Sequence, residues 1–180
     1  YYKEDCCDRA AMTYIFRKFK PSTVIHLAAF KSIPESLSHP EEYFQNNVNS
    51  LTNVLTAAKM FNCQRLIFSS SCAVYGPQAS PINESAPLHP QNSYAKSKAI
   101  CEDIIQSSDI PYIILRYFNP IGELHGLQDI AGDGINSAIR SGTVTIHGTD
   151  YPTPDGTPIR DFINIADLVK FHLQAIDIPI

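Results

Sequence analysis

Tyr94 and Lys98 stand four residues apart in Asn92-Ser93-Tyr94-Ala95-Lys96-Ser97-Lys98, just where a helical pattern begins. At that spacing both side chains share one helix face. A tyrosine at its ordinary pKa of about 10 is a poor base, whereas a phenol beside a fixed cation is ionised often enough to take a proton at neutral pH. The pair is a candidate general acid/base. The same spacing also fits a solvated lysine beside a half-buried tyrosine, so the surrounding elements must decide.

Those elements alternate. Apolar residues at Ala11, Met12, Ile15, Phe16 and Phe19 predict an amphipathic helix from Asp8 to Phe19, stopped by Pro21 and Ser22. Val24 to Phe30 runs apolar without alternation, as a strand buried on both faces of a parallel sheet does. Pro40, with Glu41 and Glu42 at the positive end of the dipole, opens a long helix through Ala58. Arg65 to Ser71 is a second buried strand that ends in three hydroxyls, followed by a proline-rich loop and the Tyr94/Lys98 helix. Tyr112 to Phe118 is a third strand, ending at polar Asn119. Three such alternations imply βαβ crossovers in an α/β, doubly wound parallel sheet, where sites lie at strand C-terminal ends. Beyond Gly122 the pattern loosens, with a short helix signal at Ile135 to Arg140, an edge-strand alternation at Thr143 to His147, a Pro/Gly/Asp loop from Thr149 to Pro158, a strand at Arg160 to Ile165 and a helix at Ala166 to Ile176.

Composition bounds the partners. The chain has 180 residues, 44% hydrophobic and 18% charged, which fits one globular domain with a sizeable core. A net charge of −4 without a basic run argues against nucleic acid and anionic membrane as partners. No apolar run is long enough for a membrane span, and the N-terminus is unlike a signal peptide, so a cytoplasmic setting is the expectation. Five cysteines without a C-x-x-C, and histidines without ligand spacing, argue for reduced thiols and no metal. His26, inside a strand, reads as a satisfied core histidine.

The strand ends at Ala28-Ala29, Ser69-Ser70-Ser71 and Phe118-Asn119 converge on one face, with the Tyr94/Lys98 helix between the last two. Together with Asn46-Asn47-Val48-Asn49, Val74-Tyr75-Gly76, Leu115 to Pro120 and Asp150 to Phe162, these stretches resemble the extended short-chain dehydrogenase/reductase family, in its sugar-nucleotide epimerase branch. The resemblance covers nearly the whole chain. It implies a partial Rossmann-like sheet with part of a small C-terminal substrate-binding region, and a division into an NAD-binding domain over 1–121 and a substrate region over 122–180.

The resemblance also implies roles. Tyr94 is the base, Lys98 the cation that holds the nicotinamide ribose, and Ser71 a hydrogen-bond partner of the reacting hydroxyl. Asp5 and Cys6 fall where the family contacts adenine; Leu27, Ala28, Ala29, Lys31, Asn46, Ser69 and Phe118 line the dinucleotide; Asn119 and Arg160 hold the sugar nucleotide. The implied reaction is NAD-dependent epimerisation at C4 of a UDP-hexose through a 4-keto intermediate, interconverting UDP-glucose and UDP-galactose, with a homodimer as the implied assembly. Removing a proton from a sugar hydroxyl while C4 is oxidised needs a base, a cation and a neutral donor, which are the types present. Relatives that eliminate or decarboxylate carry acidic residues after the strand-end hydroxyls; Cys72 and Ala73 stand there instead.

Several features depart from the family pattern. No glycine-rich turn that would cradle a pyrophosphate is present, and Tyr1 to Glu4 reads as the end of a strand, so the chain looks like a fragment whose expected behaviour alone is neither to hold NAD nor to turn over. Ala73 replaces a usual threonine, a loss of one hydrogen bond on the order of 1 kcal/mol. The segment from Glu123 to Gly142, with Asn136, is short. Two other readings therefore stand beside the first: another nucleotide-sugar epimerase or reductase, including forms that accept N-acetylated sugars, and a truncated, inactive binding module.

Overall fold

A computed structural model describes residues 1–122, 142 and 149–179. The signals at 135–140 and 143–147, and Asn136, lie outside the described residues. The chain forms two units, Tyr1–Arg116 with Ala175–Ile180, and Tyr117–Gln174.

The first unit opens with helix α1 (Arg9–Phe19), whose N-cap Asp8 accepts from the Ala10 and Ala11 amides at 2.8 and 3.1 Å. The helix closes on Lys20 in the left-handed region, at φ 46°. Strand β1 (Thr23–His26), helices α2 (Ile33–Ser38) and α3 (Pro40–Met60), strand β2 (Arg65–Ser71), a 3-10 turn (Cys72–Val74), helix α4 (Ser93–Gln106) and strand β3 (Tyr112–Tyr117) follow. The sheet order is β1-β2-β3, and β1 lies parallel to β2 with Thr23 opposite Arg65 and His26 opposite Phe68. Helices α1, α3 and α4 close over this sheet around Phe16, Leu51, Leu66, Phe68, Cys101 and Ile105. Arg65 donates to the carbonyls of Ala175 and Ile176, and to that of Ile178 at 2.6 Å, which ties the tail of the chain to the start of β2. Such donors satisfy the carbonyls that a helix C-terminus leaves open.

Three sequence expectations change here, and one element is added. The strand expected over Val24 to Phe30 stops at His26, and at Phe30 the N–H and C=O are taken by the Asn47 side chain instead of a ladder. It is not buried on both faces either: Ile25 is 37% exposed. Tyr1 to Glu4 forms no strand; Tyr2 instead packs edge-on against Phe19 at 5.3 Å and takes a hydrogen bond from Lys18. Helix α2 was unforeseen, although Ser32 caps it through the Glu35 amide at 3.3 Å and Pro34 sits in its first turn.

In the second unit, β4 (Asn119–Ile121) lies parallel to β5 (Phe162–Asn164), pairing Asn119 with Phe162 and Ile121 with Asn164. Helix α5 (Ile165–Asp177) follows directly, because the Asn164 side chain accepts the Ala166 amide at 2.8 Å and starts the helix there. The expected strand from Arg160 is thereby shortened. Before it, Asp155 accepts from the Thr157 amide and hydroxyl at 3.0 and 2.9 Å, which makes Asp155-Gly156 the turn its composition predicts. Gly156 adopts φ 72°, and a Cβ there would stand 2.3 Å from the Thr149 carbonyl oxygen. No other residue type fits that approach.

Candidate active site

The C-terminal end of β2 and the start of α4 hold the candidate acid/base residues. Strand β2 is buried from Leu66 to Ser70 and emerges at half-buried Ser71, whose hydroxyl oxygen accepts the Ala73 amide at 3.2 Å and turns the chain into the 3-10 turn. An oxygen that accepts in this way still has its own proton to donate. Helix α4 is fixed in phase by Asn92, whose side chain accepts the Ala95 amide at 2.8 Å. That cap places half-buried Tyr94 in the first turn, at the positive end of the helix dipole, where developing negative charge is favoured.

One turn further, Lys98 points into the protein and is only 4% exposed. Its ammonium donates to the Ser69 carbonyl at 2.8 Å and stands 4.8 Å from the centre of the Phe68 ring. Burial brings its pKa down to about 8, against a smaller upward pull from Cys101 and Glu102. This is not the solvated lysine that helical spacing alone also allows. Helix α4 packs directly on β2 and on the 3-10 turn, so the structure holds Ser69, Ser71, Tyr94 and Lys98 at one junction.

His26 also stacks on the Phe68 ring, with 6.0 Å between ring centres. His26 is buried as expected, but it is not satisfied: its Nε2 has no hydrogen-bond partner among the described residues. Burial, and then the nearby Lys98 charge, lower its pKa to about 4.

Residues expected along the dinucleotide surround the end of β1. Leu27, Ala28 and Lys31 are exposed and Ala29 half-buried. Asp5 accepts the Cys7 amide at 2.8 Å, while the Cys6 carbonyl and the Cys7 carbonyl receive the Asn53 amide group at 3.2 and 2.8 Å. The Cys7 thiol in turn donates to the Asn46 carbonyl at 3.5 Å, so the Asp5-Cys6 turn and Asn46 are neighbours. Burial first, and then Asp5, push the Cys6 thiol up, which keeps it protonated.

Asn47 stands in the Asn46-Asn47-Val48-Asn49 stretch, but the sequence assigns it no role of its own. It is buried, accepts the Phe30 amide at 2.7 Å, and donates to the Phe30 carbonyl at 3.1 Å and the Ser97 hydroxyl at 2.9 Å. One side chain thus pins the Leu27 to Lys31 segment to α4. An asparagine in the middle of a helix otherwise written in apolar residues was the available signal.

Phe118, Asn119 and Arg160 belong to the second unit. Asn119 donates from its side chain to the Asp161 carbonyl at 2.8 Å, Phe118 is partly exposed, and exposed Arg160 donates to the Ile159 carbonyl at 2.9 Å with its guanidinium 6.0 Å from the Tyr151 ring.

Residues 1–179 match the model of the NAD dependent epimerase/dehydratase family. The chain is 38% identical over 194 residues to UDP-glucose 4-epimerase 2 of Oryza sativa subsp. japonica, covering 98% of this chain and 47% of that protein. It is also 38% identical over 191 residues to UDP-glucose 4-epimerase of Lactobacillus helveticus, covering 98% and 58%. Its fold matches the crystal structure of UDP-glucose 4-epimerase from Bifidobacterium longum in complex with NAD+ and UDP, with a TM-score of 0.87, 36% identity, and coverage of 98% of this chain and 58% of that one. UDP-N-acetylglucosamine 4-epimerase from Methanobrevibacter ruminantium M1 in complex with UDP-N-acetylmuramic acid matches with a TM-score of 0.82 at 32% identity, covering 98% and 57%. The chain spans about half the length of the curated relatives it matches.

Proposed function

The chain belongs to the NAD dependent epimerase/dehydratase family, and from that premise we propose that its β2/α4 junction carries the acid/base set for NAD-dependent epimerisation at C4 of a UDP-hexose, interconverting UDP-glucose and UDP-galactose. The observation that carries this reading is Lys98, a buried ammonium fixed on the strand end one turn from Tyr94. Tyr94 takes the proton of the sugar 4-hydroxyl and later returns it to O4, once the 4-keto sugar has turned over and C4 is reduced from its other face. Lys98 keeps the phenol ionisable, and Ser71 orients the reacting oxygen. The dinucleotide, when bound, accepts and gives back the two electrons of the C4 oxidation.

The residues present fit that cofactor. Small Ala28 and Ala29 at the end of β1 leave room for close approach, and the segment holding them is pinned by Asn47. Lys98 donates one of its three protons to Ser69, which leaves donors for a ribose. Asp5, Cys6, Leu27, Lys31, Asn46, Ser69 and Phe118 complete the proposed cofactor contacts, and Asn119 and Arg160 the sugar-nucleotide contacts, with residues 1–121 as the NAD-binding part and 122–180 as the substrate part. A guanidinium suits a diphosphate because its planar donors meet anionic oxygens in a fixed geometry. A homodimer and a cytoplasmic setting go with the proposal; among the described residues no helix is long and apolar enough to cross a membrane.

Because the matched structures include both a UDP-glucose and a UDP-N-acetylglucosamine 4-epimerase, the test presents both sugars. The complete natural polypeptide carrying this sequence is supplied with NAD and assayed with UDP-galactose and UDP-N-acetylgalactosamine, as wild type and as Tyr94→Phe. Conversion of UDP-galactose, reduced at least roughly a hundredfold by the substitution, is the expected result. An unchanged rate in Tyr94→Phe would show that the acid/base assignment is wrong.

A further inference from the structure

Helix α4 carries a third group on the stripe of Tyr94 and Lys98. Glu102 is four residues beyond Lys98 and 0% exposed. Its Oε1 accepts from the Ser70 hydroxyl and from Arg116 Nε at 3.0 Å, and its Oε2 from Arg116 Nε at 3.0 Å and Nη2 at 2.5 Å. Arg116, on β3, donates from Nη1 to the Tyr75 hydroxyl and the Glu84 carbonyl, both at 3.0 Å, with its guanidinium 5.0 Å from the Tyr75 ring. One buried carboxylate therefore joins α4, the end of β2, β3 and the loop after the 3-10 turn.

A buried ion pair of this kind is poor evidence for stability, because desolvation consumes much of the attraction; its better-attested use is to select one arrangement among several. The arrangement it selects here is local. Ser70 lies between Ser69, whose carbonyl holds Lys98, and Ser71. Along a strand, alternate side chains point to opposite faces, so a bond to the Ser70 hydroxyl fixes the strand end without occupying Ser69 or Ser71. We infer that Glu102, clamped by Arg116, is a positioning residue that locks the Ser69-Ser70-Ser71 strand end onto α4 and sets the charge environment of Lys98. This rests on the reading of Ser71, Tyr94 and Lys98 as the acid/base set. The charged, titratable and polar groups around Lys98 include Tyr94, Glu102 and Cys101 from α4, His26 from β1, and the Ser69 carbonyl with the Phe68 ring from β2.

The test uses the complete natural polypeptide with 13C/15N-labelled lysine, the Lys98 signal being assigned with Lys98→Arg. Glu102→Gln keeps size and removes the charge, and the Lys98 titration midpoint is expected to fall by about one pH unit. Ser70→Ala removes only the link to the strand; amide exchange at Ser69 to Ser71 is expected to rise roughly tenfold while the Lys98 midpoint stays. An unmoved midpoint in Glu102→Gln overturns the inference, and so does unchanged exchange in Ser70→Ala; if Glu102→Gln does not fold, the Ser70→Ala result decides. Where the wild type converts sugar nucleotide, Ser70→Ala is expected to lower kcat with KM kept, and a kcat equal to wild type overturns the positioning role. A wild type that converts nothing removes the proposed reaction and leaves the titration and exchange results to judge the clamp.

Discussion

The Lys98 ammonium donates to the main-chain carbonyl of Ser69 at 2.8 Å, so the only cation on the Tyr94 face of α4 that is buried among the described residues is held by the strand end itself. A side chain acceptor could be removed by mutation, whereas a carbonyl cannot. Lys98 is therefore as well placed as β2 is, and β2 is buried from Leu66 to Ser70.

Burial of that charge has a pH signature. The Lys98 pKa is about 8 in the folded chain and 10.5 when unperturbed. Above pH 10.5 both states hold it neutral; between the two values only the unfolded chain binds the proton, so stability rises with pH there, and below pH 8 the full cost of the buried ammonium applies. That cost is on the order of 3 kcal/mol. Lys98→Met is expected to be more stable than wild type at pH 7, with the gap closing between pH 8 and 10.5, as read by urea unfolding across that range. A gap independent of pH would mean that Lys98 titrates normally.

Asn47 supports a second expectation, about order at the end of β1. Its amide satisfies both backbone groups of Phe30 and also holds Ser97, three bonds from a residue that is itself buried. Asn47→Ala leaves the Phe30 peptide without those partners, which costs roughly 2–4 kcal/mol. The Phe30 amide should lose its hydrogen-exchange protection more than the amides of β2 do, and dinucleotide affinity should fall with it if the Leu27 to Lys31 segment lines the cofactor. Uniform loss of protection across the first unit would instead assign Asn47 to general packing.

The parts of this fold that were legible in the sequence are those governed by local pattern. Strand β2 is found over Arg65–Ser71 as its unbroken apolar run and hydroxyl ending predict, and α4 begins at Ser93 because Asn92 is a strong N-cap. The end of β1 is not legible, since Leu27 to Phe30 is as apolar as Val24 to His26; what holds Phe30 off a ladder is Asn47, seventeen residues further on in sequence. Strand β4 has three residues and no periodicity to read, and exists through its pairing with β5, some forty residues later. In the candidate site, Tyr94, Lys98 and Ser71 stand out by type and spacing. Glu102 and Arg116 do not, because a glutamate in a helix ordinarily faces water, and only the fold shows this one buried with Ser70 and Arg116 as its partners.

His26 gives the last expectation, at the acid end. Its pKa falls to about 4 in the folded chain from 6.5, chiefly through burial and secondarily through Lys98. Above pH 6.5 the ring is neutral in both states and has no proton-linked effect; as the pH drops towards 4 the unfolded chain takes up a proton that the folded chain refuses, so stability is lost through that window. The loss attributable to this ring is on the order of 3 kcal/mol. His26→Leu removes the titrating group and keeps an apolar side chain against Phe68, so the variant should hold its stability between pH 6.5 and 4 better than wild type by about that amount. Unfolding measured at several pH values across the window checks this, and parallel curves for the two proteins would place the acid sensitivity elsewhere.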